Sequence, residues 1–255
     1  MKLNFKKYGD SGFPLLILHG LLGSLDNWST LGKSFAEQFQ VYIIDQRDHG
    51  KSPHSDELSY PNMVADLKEF MDDHQIESCY LLGHSMGGKT VMNFAVQFPH
   101  MVEKLIVVDI APRSYPVHHH QILEGLSAVN FDQVTSRNEV EEVLTPYIPE
   151  FTVRQFLMKN LFWVEKGKLA WRFNLPVIKK DIEKISLGLE ADAYFTNPTL
   201  FIDGENSNYI EEEDVDMIDE IFPRNQIETF ENCGHWVHAE APEEFYQTVV
   251  DFLVS

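Results

Sequence analysis

The chain has 255 residues, 44% of them hydrophobic, which is enough to bury a full core and excludes a disordered chain. Its 40 acidic residues outnumber 20 basic ones, and the resulting net charge of −20 repels phosphate backbones at long range, so nucleic acid is not an expected partner. Two cysteines make no disulfide framework, the first residues carry no apolar signal core, and the longest apolar run is too short for a bilayer, so a cytoplasmic protein without membrane insertion is expected.

Residues 2–8 suggest an edge strand. Leu15-Leu16-Ile17-Leu18 and Val41-Tyr42-Ile43-Ile44 are short apolar runs separated by a helical stretch at 27–38. A helix is expected at 60–74, then a strand at 79–82, a helix at 86–98 and a strand at Leu105-Ile106-Val107-Val108. Thr199-Leu200-Phe201-Ile202 and Ile227-Glu228-Thr229-Phe230 complete the strands, with a helix at 211–221 between them and a last one after Pro242, where proline suits the first turn. This alternation predicts an α/β fold, a mostly parallel sheet with helices on both faces.

One stretch breaks the rhythm. From 109 to 198 no buried strand is evident, but helical periodicity runs over 118–129, 138–144 and 152–161. A helical lid is expected at 113–186, inserted into a core made of 1–112 and 187–255. Its aromatics, Phe151, Phe156, Phe162, Trp163, Trp171 and Phe173, are candidates either to line a pocket or to form the lid's own core.

Gly83-His84-Ser85-Met86-Gly87-Gly88 lies between a strand and a helix and matches the G-x-S-x-G nucleophile elbow. A serine hydroxyl becomes nucleophilic when a sharp turn exposes it to a base and to backbone donors, and Gly83 and Gly87 leave room for that turn. Of eleven histidines, His235 in Gly234-His235-Trp236 follows the last strand on a loop that returns to the sheet's carboxyl edge, which makes it the candidate base. His238 reads as a structural or rim residue. His84, in an extended strand, should point away from its neighbour Ser85. His19-Gly20-Leu21-Leu22-Gly23 ends a strand, and the N–H groups of Leu21 and Met86 are the candidate oxyanion donors.

With these features the chain resembles the α/β-hydrolases over nearly its whole length. Asp45-Gln46-Arg47-Asp48-His49-Gly50-Lys51-Ser52 matches the superfamily's D-x-R-x-H-G-x-S turn, and Gly234-His235 with Glu240-Ala241-Pro242-Glu243 matches its histidine loop. The lid is read as inserted after the sixth strand. Residues 83–89, Asp109-Ile110-Ala111-Pro112, Trp171-Arg172-Phe173-Asn174 and His235-Trp236-Val237-His238-Ala239-Glu240 look like the small bacterial YbfF-like esterases, which implies hydrolysis of acyl esters and acyl-CoA thioesters without a cofactor. Most superfamily members carry an aspartate in a G-x-x-D arrangement after the seventh strand, where Gly204-Glu205-Asn206-Ser207 has serine. The YbfF-like resemblance assigns the acid to Asp109; Asp203, Asp214 and an arrangement through Ser207 remain alternatives.

Ser85, Asp109 and His235 thus form the expected triad for a serine esterase acting on a small-molecule acyl ester or thioester. Trp163, Trp236 and Arg113 are candidates for substrate contact. His118-His119-His120 cannot jointly hold one metal, because neighbours on a helix point about 100° apart. With Arg113 they make either a positive spot for an anionic group or a solvated, salt-bridged lid face. The same elbow serves carbon-carbon bond hydrolases and perhydrolases, and a triad-bearing small-molecule sensor is a rival of another class.

Overall fold

The computed structural model describes residues 1–117 and 119–255, so His118 of the histidine run lies outside the described residues. Strand β1 (Phe5–Tyr8), β2 (Pro14–Leu18), helix α1 (Ser29–Phe35), β3 (Gln40–Ile44), α2 (Tyr60–Asp73), β4 (Cys79–His84), α3 (Met86–Gln97) and β5 (Val102–Val108) build the first part of the core. An insertion follows, with α4 (His120–Ala128), α5 (Arg137–Leu144), α6 (Phe151–Met158), β6 (Leu161–Glu165), β7 (Lys168–Trp171) and α7 (Leu175–Asp181). The chain then returns as β8 (Thr199–Gly204), α8 (Val215–Ile221), β9 (Asn225–Phe230), α9 (Val237–Glu240) and α10 (Pro242–Val254).

The main sheet has the order β1-β3-β2-β4-β5-β8-β9. Among the described residues of this sheet only β1 runs antiparallel to its neighbour, and its place at the end of the order makes it the edge strand expected at 2–8. Alternation along each strand supplies two cores. Leu16, Leu18, Leu81, Leu105 and Val107 face α2 and α3, while Leu15, Ile17, Leu82, Ile106 and Val108 face α1 and α10. Each such side chain, fully buried, contributes about 1.5–3 kcal/mol of transfer free energy.

The β3-to-β4 connection passes over β2, so β2 and β4 pair side by side while the connections after them diverge. Such a switch point opens a crevice at the strands' carboxyl ends, and here it receives residues 19–23 from β2 and Ser85 from β4.

The insertion caps that edge. It follows the fifth described strand in chain order, not the sixth, because only β1 precedes the strand that leads to His19. It is also not wholly helical. The expected helix over 152–161 stops at Met158, and β6 pairs antiparallel with β7 through a turn holding Gly167 at φ 85°. Phe162, Trp163 and Val164 are aromatic or β-branched, favouring a pleated strand, and glycine closes the turn without a Cβ penalty.

The cap's cluster, including Leu126, Val140, Leu144, Leu157 and Ile178, continues into Leu22, Leu58, Tyr60, Met63 and Met86 of the core. Its two legs bond to each other, Tyr115 N–H to Ser186 O at 2.8 Å and Leu189 N–H to Pro112 O at 2.9 Å. Lys89 of α3, 1% exposed, donates to Pro112 O, Arg113 O and Leu187 O across both legs. Burial and the nearby Arg113 push its ammonium down to about 7, while the three carbonyls favour its charged form.

Candidate active site

Ser85 caps the start of α3 at φ 54° and ψ −117°, a left-handed backbone that costs a non-glycine residue energy and persists only under strong constraint. The constraint is packing and a bond from Ser85 N–H to Val108 O at 2.9 Å. A Cβ on Gly83 would lie 2.3 Å from Gly87 O, and one on Gly87 would lie 2.5 Å from Leu18 O, so both positions exclude any side chain. The hydroxyl-bearing residue borders a cavity of about 240 Å³.

His235, on the loop between β9 and α9, borders the same cavity. Its Nδ1 lies 2.6 Å from Asp109 Oδ2. The carboxylate accepts there, which requires Nδ1–H and leaves Nε2 of the neutral ring as the basic nitrogen. Tyr209 stacks on the imidazole at 4.2 Å between centroids, fixing its plane from the other side.

Asp109 is 0% exposed and sits at φ 51° just past β5. Three neighbours hold it. Its own N–H donates to Ile202 O at 2.8 Å, Gly204 N–H donates to its Oδ1 at 3.2 Å, and Ser207 donates to its Oδ2 at 2.6 Å. Ser207, at the position where the superfamily pattern has its aspartate, therefore supports Asp109. Burial and the adjacent Asp109 carboxylate push Asp203 up to about 7, and Asp214 is taken by Arg113, with Nε 2.8 Å from Oδ1.

The expectation for His84 fails. The positive φ of Ser85 ends the strand's alternation at that residue, and His84 and Ser85 border the same cavity. His84 Nε2–H donates to His235 O at 2.8 Å and its ring lies 4.6 Å from that of His235, so it supports the histidine loop from below. His238 is buried and stacks on Trp28 at 4.1 Å, a structural role as expected.

Two further histidines, His19 and His49, lie in the strand-end motifs. His19 donates from Nδ1 to Gly20 O at 2.8 Å and accepts at Nε2 from Gln46 N–H at 3.0 Å. His49 accepts at Nε2 from Leu22 N–H at 3.1 Å, with Nδ1 2.9 Å from Arg47 O. Burial pushes each down to about 4, consistent with neutral rings whose Nε2 accepts. Together with the bond from Asn160 Nδ2 to Leu22 O at 2.7 Å, they pin the turn that carries Leu21. Met86 is the first residue of α3, where helical N–H groups lack intrahelical partners. The presence of both histidines beside glycines in strand-end motifs was the available signal.

Trp236 lines the cavity, 5.5 Å from Phe156 of the cap. Trp163 does not. It stands 51% exposed on the β6–β7 hairpin, whose outer end, residues 163–168, projects into solvent on both faces beyond the buried Leu161 and Trp171. Arg113 is likewise absent from the cavity wall, since Asp214 and Glu211 (3.3 Å) hold its guanidinium over the Tyr115 ring. His119 borders the cavity. Trp171 and Phe173 stack on one another at 5.3 Å within the cap's own cluster. Asn174 of the same motif donates to Asp48 Oδ1 at 2.8 Å, anchoring the cap to the D-x-R-x-H-G-x-S turn.

Residues 14–146 match the profile of a family described as alpha/beta hydrolase fold. The chain belongs to the α/β-hydrolase family. Among relatives of this hydrolase, "sn-1-specific diacylglycerol lipase ABHD11" of Danio rerio is 38% identical, covering 98% of this chain and 80% of its own. "Esterase YbfF" of Escherichia coli (strain K12) is 34% identical over 99% of both chains. A solved structure named "Marine microorganism esterase" is 43% identical with a TM-score of 0.96, covering 98% of this chain and 99% of its own. Among the described residues no helix is long and apolar enough to cross a membrane.

Proposed function

We propose that this enzyme, a carboxylic ester hydrolase, acts through Ser85, His235 and Asp109 by an acyl-enzyme route. Ser85 Oγ attacks the acyl carbonyl as His235 Nε2 takes its proton. Asp109 keeps the proton on Nδ1 and stabilises the imidazolium. The N–H groups of Leu21 and Met86 take up the charge on the tetrahedral oxygen. Collapse of that intermediate moves the proton from His235 to the leaving oxygen and releases the alcohol. Water, deprotonated by His235, then attacks the acyl-enzyme, and its collapse returns the proton to Ser85 and frees the acid.

The observation that carries this reading is the 2.6 Å bond between His235 Nδ1 and the buried, threefold-held Asp109, with Ser85 and His235 on one cavity. The substrate class is a small-molecule oxygen ester, with acyl-CoA thioesters as a second class of the same chemistry. Residues 113–186 act as the cap over the site. Cytoplasmic action belongs to the same reading, supported by two free, buried thiols at Cys79 and Cys233.

The test is steady-state hydrolysis of a p-nitrophenyl ester series and an acyl-CoA series by wild type, Ser85→Ala and Asp109→Asn. Loss of turnover in the first variant and a deep reduction in the second are expected. Full activity in Ser85→Ala would remove the mechanism, and full activity in Asp109→Asn would move the acid to Asp203.

A further inference from the structure

Two cavities meet at Ser85, with Leu21, His119 and Tyr209 bordering both. One holds about 240 Å³ and the other about 40 Å³, a difference large enough to decide which part of an ester each can take. We propose that the smaller cavity receives a short acyl group and the larger one receives a bulkier apolar leaving group. This rests on the serine-esterase reading above and assigns its substrate.

The assignment follows from where the proton must go. His235 and Trp236 border only the larger cavity, whereas Met86 and Lys89 border only the smaller. Collapse of the tetrahedral intermediate requires His235 Nε2 to protonate the departing oxygen, so the leaving group lies on the side of His235. The oxyanion takes the direction of the Leu21 and Met86 N–H groups. The acyl substituent is left with the remaining space, beside α3.

The walls agree with apolar occupants on both sides. Leu22, Ile122, Val153, Phe156, Leu157 and Trp236 line the larger cavity. The smaller one is walled by Tyr60, Ile110, Tyr115, Ile182 and Ile185 and includes Lys89. Three of its polar side chains are committed to backbone partners. Tyr60 donates to Ile185 O at 2.7 Å, Tyr115 donates to Tyr209 O, and the three ammonium protons of Lys89 are matched by the carbonyls of Pro112, Arg113 and Leu187. An acyl group bearing its own carboxylate would find no uncommitted donor among these three side chains.

Isomeric alkyl esters test this with leaving-group basicity held nearly level. Hexyl acetate and ethyl hexanoate have the same atoms, divided oppositely between acyl and alcohol. Wild type is expected to favour hexyl acetate by about tenfold or more in kcat/KM, the scale on which a filled pocket rejects extra methylenes. Ile185→Ala should narrow that ratio by raising turnover of the hexanoate, and Phe156→Ala should narrow it by lowering turnover of hexyl acetate. A preference of wild type for ethyl hexanoate overturns the assignment, and because that comparison uses the unaltered enzyme it stands even if a variant fails to fold. Hydrolysis of neither ester, or of both by Ser85→Ala, removes the serine-esterase reading and this inference with it.

Discussion

In the core, alternate residues of each strand meet helices on opposite faces of one sheet, whereas the cap's short helices and hairpin share a single cluster with residues reaching up from the core. The candidate chemical groups all belong to the first region. Ser85, Asp109, His235, Leu21 and Met86 stand at strand ends or the helix start beside them, held by backbone bonds and close packing. The cap adds cavity walls through Ile122, Val153, Phe156 and Leu157. Its attachment combines that shared apolar cluster with polar ties that include the paired legs, Lys89, Asn160 to Leu22, Asn174 to Asp48, Asp181 to Leu58 N–H and Tyr60 to Ile185 O. Changes in the core site should therefore lower turnover of every substrate, and changes in the cap should alter selectivity and stability.

The sharpest break of that contrast is Ser85→Ala, expected to lower kcat by on the order of 10⁴-fold or more while leaving the thermal melt nearly in place. Kinetics and melting on the same preparation check both halves. Asp109→Asn should cost about 10³–10⁴-fold in kcat, because the amide cannot hold the required tautomer of His235. Equal losses on short and long acyl esters would confirm that the effect belongs to the core.

Acid should loosen the core edge. His19 and His49 are lowered from 6.5 to about 4 and His238 to about 3, in each case by burial first. Between those values and 6.5 the unfolded chain binds more protons than the folded one, so stability is fully present above pH 6.5 and declines as pH falls through that window. Urea melts at pH 7.5 and 5 should differ by on the order of several kcal/mol. Hydrogen exchange should show residues 19–23 and 45–52 losing protection as His19 and His49 gain protons. A cap that opens first would contradict the assignment of acid sensitivity to these histidines.

Smaller effects should distinguish support from attachment. Ser207→Ala removes one bond to Asp109 and should cost about tenfold in kcat, the scale of a single hydrogen bond to a charged group. Asn174→Ala cuts a cap tie. It should destabilise the fold by about 1–2 kcal/mol and raise KM more than it lowers kcat. An unchanged KM there would mean that the remaining ties hold the cap unaided.

Residue patterning by itself determined the sheet and helices of the core, because period-two apolar runs and 3.6-period stripes encode what each element buries. Gly83, Gly87 and the loop around His235 were legible for a related reason, since a tight turn restricts residue type at its own positions. Tertiary structure decided what meets across connections. The bond from Ser207 to Asp109 joins residues beyond β8 and β5, and Arg113 finds Asp214 after the whole cap has intervened. His84 meets the histidine loop from another strand's end, and Trp163 faces solvent on a hairpin that the helical reading of the lid did not anticipate. Local periodicity reports burial within one element, whereas these contacts depend on strand order and on how the cap docks, which many distant residues set together.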